Sequence, residues 1–165
     1  MTMILVLFSD QVNRFSWIPV NDVVMGGYSE SELKIEAGLA RFTGTVSLEN
    51  NGGFASVRSE LLDLDLQNYS GIVIGARGDG KQYKFTIRTS GSFDGIAYQA
   101  KFNTQDGIWL DYTLPFSSFI PTFRGKILKS AEPLNTAKIS SFGFMISEKQ
   151  SGPFSLSIHS VSTYS

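Results

Sequence analysis

The chain has 165 residues, with 14 Lys and Arg against 15 Asp and Glu, a formal net charge of -1 and no cysteine. That balance argues against a nucleic-acid backbone binder or a polybasic membrane anchor. The missing thiols exclude disulfides and Cys-ligated zinc or iron–sulfur centres, and a chain of this size buries roughly 70% of its unfolded surface without covalent staples.

Met1 to Phe8 is apolar but short, has no basic flank and ends at Ser9-Asp10. It reads as a strand or docking segment rather than a secretory signal. No run approaches the roughly 18 apolar residues of a membrane span, so a soluble, intracellular protein without membrane insertion is expected. Asp10 to Trp17 has room for one helical turn. In the next segment Asp22 is flanked by apolar residues, and Gly26-Gly27 interrupts what precedes them. An Asp in that setting either caps backbone amides or faces a cleft.

From Ser31 the chain alternates. Ser31 to Ile35 and Leu39 to Leu48, joined at Ala37-Gly38, predict a β-hairpin. Asn50-Asn51-Gly52-Gly53 then makes a sharp corner, where paired glycines supply positive φ without steric cost. The strand that follows, Phe54 to Ser59, carries Arg58. Leu61 to Leu66 alternates apolar and acidic, as a strand edge or a loop lying on the core. Ile72 to Arg77 reads as a strand covered on both faces. Gly78-Asp79-Gly80-Lys81 predicts a hairpin turn into Gln82 to Thr89, with Tyr83, Phe85 and Ile87 inward and Lys84, Thr86 and Arg88 outward. Further strands are expected at Ile96 to Asn103, Ile108 to Leu114, Ile139 to Ile146 and Phe154 to Tyr164. Thr122 to Asn135 is expected to be irregular, with Arg124-Gly125-Lys126 basic at its start. About eight to ten short strands with regular turn signals predict an all-β protein. The expected architecture is a single antiparallel β-sandwich of jelly-roll type over residues 1–165.

Ordered stretches carry a family resemblance. The first is Trp17 with Asn21-Asp22-Val23-Val24-Met25-Gly26-Gly27 and Ser29. The second is Asn50-Asn51-Gly52-Gly53-Phe54-Ala55-Ser56-Val57-Arg58, and the third is Arg77-Gly78-Asp79-Gly80-Lys81-Gln82-Tyr83. Weaker support comes from Leu114-Pro115-Phe116 with Phe119, and from Gly143 to Ser147 leading to Gly152-Pro153-Phe154. Together these resemble the complex I intermediate-associated protein 30 family. The resemblance implies a galactose-binding-domain-like jelly roll. It also implies a non-enzymatic assembly factor or chaperone for a membrane electron-transfer complex, complex I-like or photosynthetic. The chain lacks an Arg/Ser-rich transit peptide and is close to the bare domain, so a bacterial, cytoplasmic protein peripheral to such a complex is expected.

No catalytic constellation is visible. The single histidine, His159, shares strand parity with Ser155, Ser157 and Val161 and is expected on the surface. No G-x-S-x-G element or P-loop occurs. Asp22 with Asp79 is the carboxylate pair to inspect for hydrolysis. Asn21, Asp22, Asn50, Asn51, Arg58, Arg77, Asp79 and Tyr83 are the candidate protein-binding surface, or else a buried network tying loops together. The alternative function is a carbohydrate- or small-ligand-binding jelly roll, with Trp17, Tyr98 and Trp109 as ring platforms. Acidic residues are scattered and no loop spaces oxygens for calcium, so neither a metal nor a cofactor is expected. The expected partner is a protein client, not nucleic acid.

Overall fold

The computed structural model describes residues 2–10, 15–22, 27–92 and 95–165, leaving aside the Asn51 side chain. Most of the Asp10 to Trp17 turn, and Val23 to Gly26 of the first motif, lie outside the described residues. The strands are β1 (Ile4–Leu7), β2 (Trp17–Pro19), β3 (Glu30–Glu36), β4 (Leu39–Val46), β5 (Ala55–Ser59), β6 (Gly71–Arg77), β7 (Gln82–Arg88), β8 (Ala97–Asn103), β9 (Trp109–Pro115), β10 (Ile120–Phe123), β11 (Lys126–Ile127), β12 (Ser141–Ile146) and β13 (Gly152–Tyr164). They form two antiparallel sheets. The six-stranded sheet runs β3-β4-β13-β6-β9, with β1 also on β13. The seven-stranded sheet runs β11-β10-β8-β7-β12-β5-β2. The all-β sandwich expected from the alternation is what forms.

The alternation explains the layering, because side chains at even spacing share one face of a strand. Tyr83, Phe85 and Ile87 of β7 point inward and are fully buried, beside Phe142, Phe144 and Ile146 of β12. Phe85 sits 5.3 Å, centroid to centroid, from both Phe142 and Phe144. From the opposite sheet Phe42 meets Phe154 edge-on at 4.9 Å. The offset and edge-on ring geometry adds to the burial of area. β13 spans the core as its longest strand. Its register slips between Ile158 and Ser160, so Leu156 and Ile158 face the core before the slip, and Val161 and Thr163 after it. His159 is the residue at the slip and is exposed. Its parity with Val161 does not survive the slip, and Ser157, on the outer side, is covered.

Two connections differ from the sequence expectation. The Ala37-Gly38 turn does join a β3–β4 hairpin, with φ of 51° and 79° at its two residues. Gly78 to Lys81, however, does not close a hairpin, because β6 and β7 lie in different sheets. Asp79 has no positive φ there, so the Asp-Gly pair makes a crossing corner instead. Its neighbours lock it. Thr104 Oγ1 accepts from the Gly80 amide at 3.1 Å and donates to the Lys81 carbonyl at 2.7 Å. A Cβ on Gly78 would come within 2.3 Å of Thr104. The Asn50 to Gly53 corner likewise carries the chain from one sheet to the other. Finally, Thr122 to Asn135 is not wholly irregular: β10 and β11 pair across Arg124-Gly125, whose φ values of 51° and 81° suit a tight turn. Leu61 to Leu66 lies on the core as a loop, with Leu66 fully buried and one bridge from Leu64 to Ile139.

Removing the ring at the centre tests this packing. Phe85→Ala should lower the unfolding free energy by about 3–5 kcal/mol, read as a lower urea midpoint with an unchanged slope.

Candidate functional site

The first two motifs meet at one carboxylate. Asp22 is buried. Its Oδ1 accepts from the Ser29 amide at 2.9 Å, and its Oδ2 from Ser29 Oγ at 2.6 Å. Oδ2 also accepts from the amides of Gly53 at 2.8 Å and Phe54 at 3.3 Å. Asn21 makes a parallel tie, its Oδ1 accepting from Ser31 Oγ at 2.7 Å and the Ser56 amide at 3.0 Å. The glycines of the corner then acquire separate reasons. Gly53 adopts φ +144°, whereas Gly52 has φ -67°. Gly52 is bare because a Cβ would lie 2.6 Å from Asp22 Oδ2, and Gly27 because a Cβ would lie 2.5 Å from the same carboxylate. Asn50 is exposed and carries the left-handed φ of 53°, a conformation asparagine tolerates better than most residues. Asn51 follows it in the same short turn of backbone.

Burial alone would raise the Asp22 carboxyl. The bond from Ser29 Oγ and the amides of Gly53, Ser29 and Phe54 outweigh it and hold the group below its ordinary value.

The third motif forms a second tie. Asp79 Oδ1 accepts from Tyr83 Oη at 2.9 Å and the Lys81 amide at 3.2 Å, while Oδ2 accepts from the Ser155 amide at 2.9 Å. Burial pushes the Tyr83 phenol well above its usual range, and the charge of Asp79 and the hydrogen bond to it push further. Lys81 Nζ donates to the Pro153 carbonyl. Arg77, exposed, lies over the Trp109 ring at 5.3 Å. The loop before β13 joins the two corners: Gln150 accepts from the Gln82 amide at 2.9 Å and donates to its carbonyl at 2.7 Å. A Cβ on Gly53 would in turn touch Lys149. Asp22 and Asp79 are each engaged with different amides and hydroxyls.

Arg58 stands elsewhere, on the outer face of the seven-stranded sheet. There a groove of about 530 Å³ crosses β5, β12, β7, β8 and β10. Arg58, Lys84, Arg88 and Arg124 line it, with Glu148 as the one acidic residue among the described lining residues. Register explains the convergence: Arg58 pairs with Gly143, Gly143 with Thr86, and Thr86 with Gln99. Lys84 donates to Glu148 at 3.0 Å, and Lys101 reaches the same oxygen at 3.3 Å. Hydrogen bonds and charge from Lys84, then from Lys101, hold the Glu148 carboxyl below its usual value. Arg88 donates to the Gly95 carbonyl at 2.9 Å. The sequence signal for part of this surface was the outward parity of Lys84 and Arg88; Thr86, expected outward with them, is buried. Gln99, Met145 and Glu148 carried no such signal. Of the ring platforms, Trp17 packs against Phe8 and Phe144. Tyr98 is buried and donates to the Glu132 carbonyl at 2.7 Å. Trp109 is exposed but belongs to the six-stranded sheet.

Residues 6–158 match the family model described as complex I intermediate-associated protein 30. The chain belongs to that family. Its relatives include the mitochondrial complex I intermediate-associated protein 30 of Mus musculus, 28% identical over 95% of this chain and 54% of the relative. The Drosophila melanogaster protein of the same name is 29% identical over 86% of this chain and 56% of the relative. The chain thus spans about half the length of these two relatives. An uncharacterized Schizosaccharomyces pombe protein is 31% identical over 95% of this chain and 82% of its own length. Among solved structures, a family 11 carbohydrate-binding module from Clostridium thermocellum, in complex with a mixed-linked tetrasaccharide, superposes with a TM-score of 0.71. It shares 18% identity, over 99% of this chain and 95% of that one. At that identity the likeness describes the fold, a jelly-roll sandwich, and nothing more.

In this complex I intermediate-associated protein 30 domain, Asp22→Ala should cost about 3 kcal/mol or more, because the amides it satisfies lose a charged acceptor. The folded pKa lies below the unfolded 3.8. The stabilisation is therefore complete above the unfolded value and fades as pH falls through the folded one. Thermal melts between pH 7 and pH 3 should show a loss in the wild type at the acid end, and the variant should lack this part of it.

Proposed function

We propose that this chain is a protein-binding module that holds a subunit or assembly intermediate of a membrane electron-transfer complex, as a chaperone does, and that it catalyses no reaction. Family membership over residues 6–158 is the observation that carries the reading. The client complex is complex I-like, or a photosynthetic relative of it. The module works in solution beside the membrane, in a bacterial cytoplasm. Among the described residues no helix is long and apolar enough to cross a membrane.

The geometry favours one face for docking. Asn21, Asp22, Asp79 and Tyr83 spend their polar atoms on ties within the fold. Arg58 lines the groove with other long polar side chains on an ordered sheet. A rigid sheet presents such side chains with little ordering cost on binding. A sugar site needs exposed rings beside planar polar groups, and among the described residues that line the groove Phe54 is the one aromatic. The protein-client reading is therefore preferred over the carbohydrate one.

Immobilised chain, exposed to detergent-solubilised native membranes, should retain subunits of one electron-transfer complex, identified by mass spectrometry. Arg58→Ala should reduce that capture several-fold and leave the melting temperature within about 2 °C, as for a surface substitution. Retention of no such subunit, together with calorimetric binding of simple sugars, would replace this reading with the carbohydrate one.

A further inference from the structure

Independently of the client, we infer that strand β9 is an interface for a second copy of this chain, joining two six-stranded sheets edge to edge about a two-fold axis at Leu110. β9 ends its sheet, and among the described residues no strand lies on its other side. Hydrogen-bond direction tells which groups that edge offers. The Thr163 amide donates to the Met3 carbonyl, on the side of β13 away from β6. Backbone direction alternates along a strand, so Ser162 faces β6, where it pairs with Val73. Ile72, Ile74 and Ala76 then face β9, where they pair with Leu114, Tyr112 and Leu110. The N–H and C=O groups of Trp109, Asp111 and Thr113 are left pointing outward. Pro115 follows in the same phase, where its missing N–H costs the sheet nothing.

The side chains of this edge are not those of a shielded strand. Ile108, Trp109 and Leu110 are exposed in succession. β9 holds no lysine, and its pairing with β6 has no bulge. Its one charge is Asp111, on the outer face with Trp109. Arg77, paired with Trp109 from β6, lies over that ring at 5.3 Å. Among the described residues neither Arg77 nor Asp111 makes an ion pair.

Charge and register select the partner. In a two-fold antiparallel seam, opposite residues have numbers with a constant sum, and their side chains share a face. Outward backbone groups meet only when odd-numbered residues oppose odd-numbered ones. Asp111 against Asp111 sets like charges face to face, which is destabilising. Thr113 against Asp111 or against Thr113 brings Pro115 opposite an outward residue, where it has no N–H to donate. Trp109 against Trp109 sets Asp111 opposite Gly107, whose φ of 73° is not extended. Asp111 against Trp109 avoids all three faults. It turns Asp111 of each copy toward the Arg77–Trp109 stack of the other. It also sets Leu110 against Leu110 on the inner face, with Ile108 opposite Tyr112. The edge is thus complementary to itself, carrying cation and ring at one position and the acid two residues on. The β10–β11 hairpin pairs with β8 at Ala97 to Gln99, whereas Phe102 of β8 meets Tyr112. The hairpin therefore lies toward the Pro115 end, away from an axis at Leu110. A seam this short makes a weak, reversible dimer.

Sedimentation equilibrium of the full chain over a wide concentration range should show a monomer–dimer equilibrium that salt weakens. Asp111→Arg and Arg77→Glu should each raise the dimer Kd about five- to twentyfold, because symmetry reverses two exposed pairs worth about two- to fivefold each. Mixing the two variants should restore association, since the mixed dimer again opposes cation and acid at both contacts. A folding defect in either variant would not give that result. The chain has no cysteine, so Leu110→Cys reports the axis. A non-hydrogen-bonded cross-strand pair brings its Cα atoms to about 4.5 Å, within disulfide reach, and mild oxidation should link the two copies. Thr113→Cys, opposite Gly107 in this register, should not cross-link. A chain that stays monomeric throughout, single variants that dimerise as wild type does, a mixture no tighter than its components, or cross-linking at Thr113→Cys and not at Leu110→Cys would each overturn the inference. If the chain stays monomeric and Asp111→Arg loses the membrane client, the edge receives a client strand and the second-copy inference falls.

Discussion

The carboxylate of Asp22 is the constraint on which the end of this sandwich depends. Removed from water, it needs several donors. It finds them in segments far apart in the chain: the residue leading into β3, and the amides that open β5. Because β3 and β5 belong to different sheets, one ion ties the two layers together at a corner. The neighbouring glycines follow from the same ion, since Gly27 and Gly52 lie where any side chain would strike it. A charged group satisfied by backbone amides is specific in a way that apolar contact is not, because each donor has a direction. A sandwich held only by its aromatic layer has less to set where one sheet ends and the next begins.

Asp79 repeats the arrangement for another crossing, through Tyr83, Lys81 and Ser155. The loop before β13 connects the corners through Gln150 and Lys149. The ties occupy one set of polar residues, and the outer face of the seven-stranded sheet presents another. The groove and the corners are joined by Glu148, which neighbours Lys149 in the loop and pairs with Lys84 on the sheet. A client seated in the proposed groove would thus rest on a surface whose positions are set by the same connections that close the fold.

Much of the fold was legible because strand alternation is a local property. Tyr83, Phe85 and Ile87 declared their burial by spacing, and the Ala37-Gly38 turn announced its hairpin through residues that accept positive φ. The Asp-Gly at 79–80 misled for an equally physical reason. The same dipeptide serves any tight reversal, and which strand receives the next segment is decided by Thr104 and Ser155, distant in sequence. His159 shows a second limit: one residue inserted at a register slip inverts the face of everything after it. Arg58 and the outward face of β7 were visible as surface, but nothing local says that β5, β7 and β10 contribute to one groove.

From its residues alone this chain determined an all-β sandwich, the inward face of most strands and, through ordered motifs, its family. Those are properties of neighbours along the chain, written in periodicity and turn chemistry. Strand order, the crossing corners, the role of Asp22 and the convergence of Arg58, Lys84, Arg88 and Arg124 were decided by tertiary structure. Each depends on pairing between segments tens of residues apart, where hydrogen-bond direction and packing select one partner among many that the local pattern would permit.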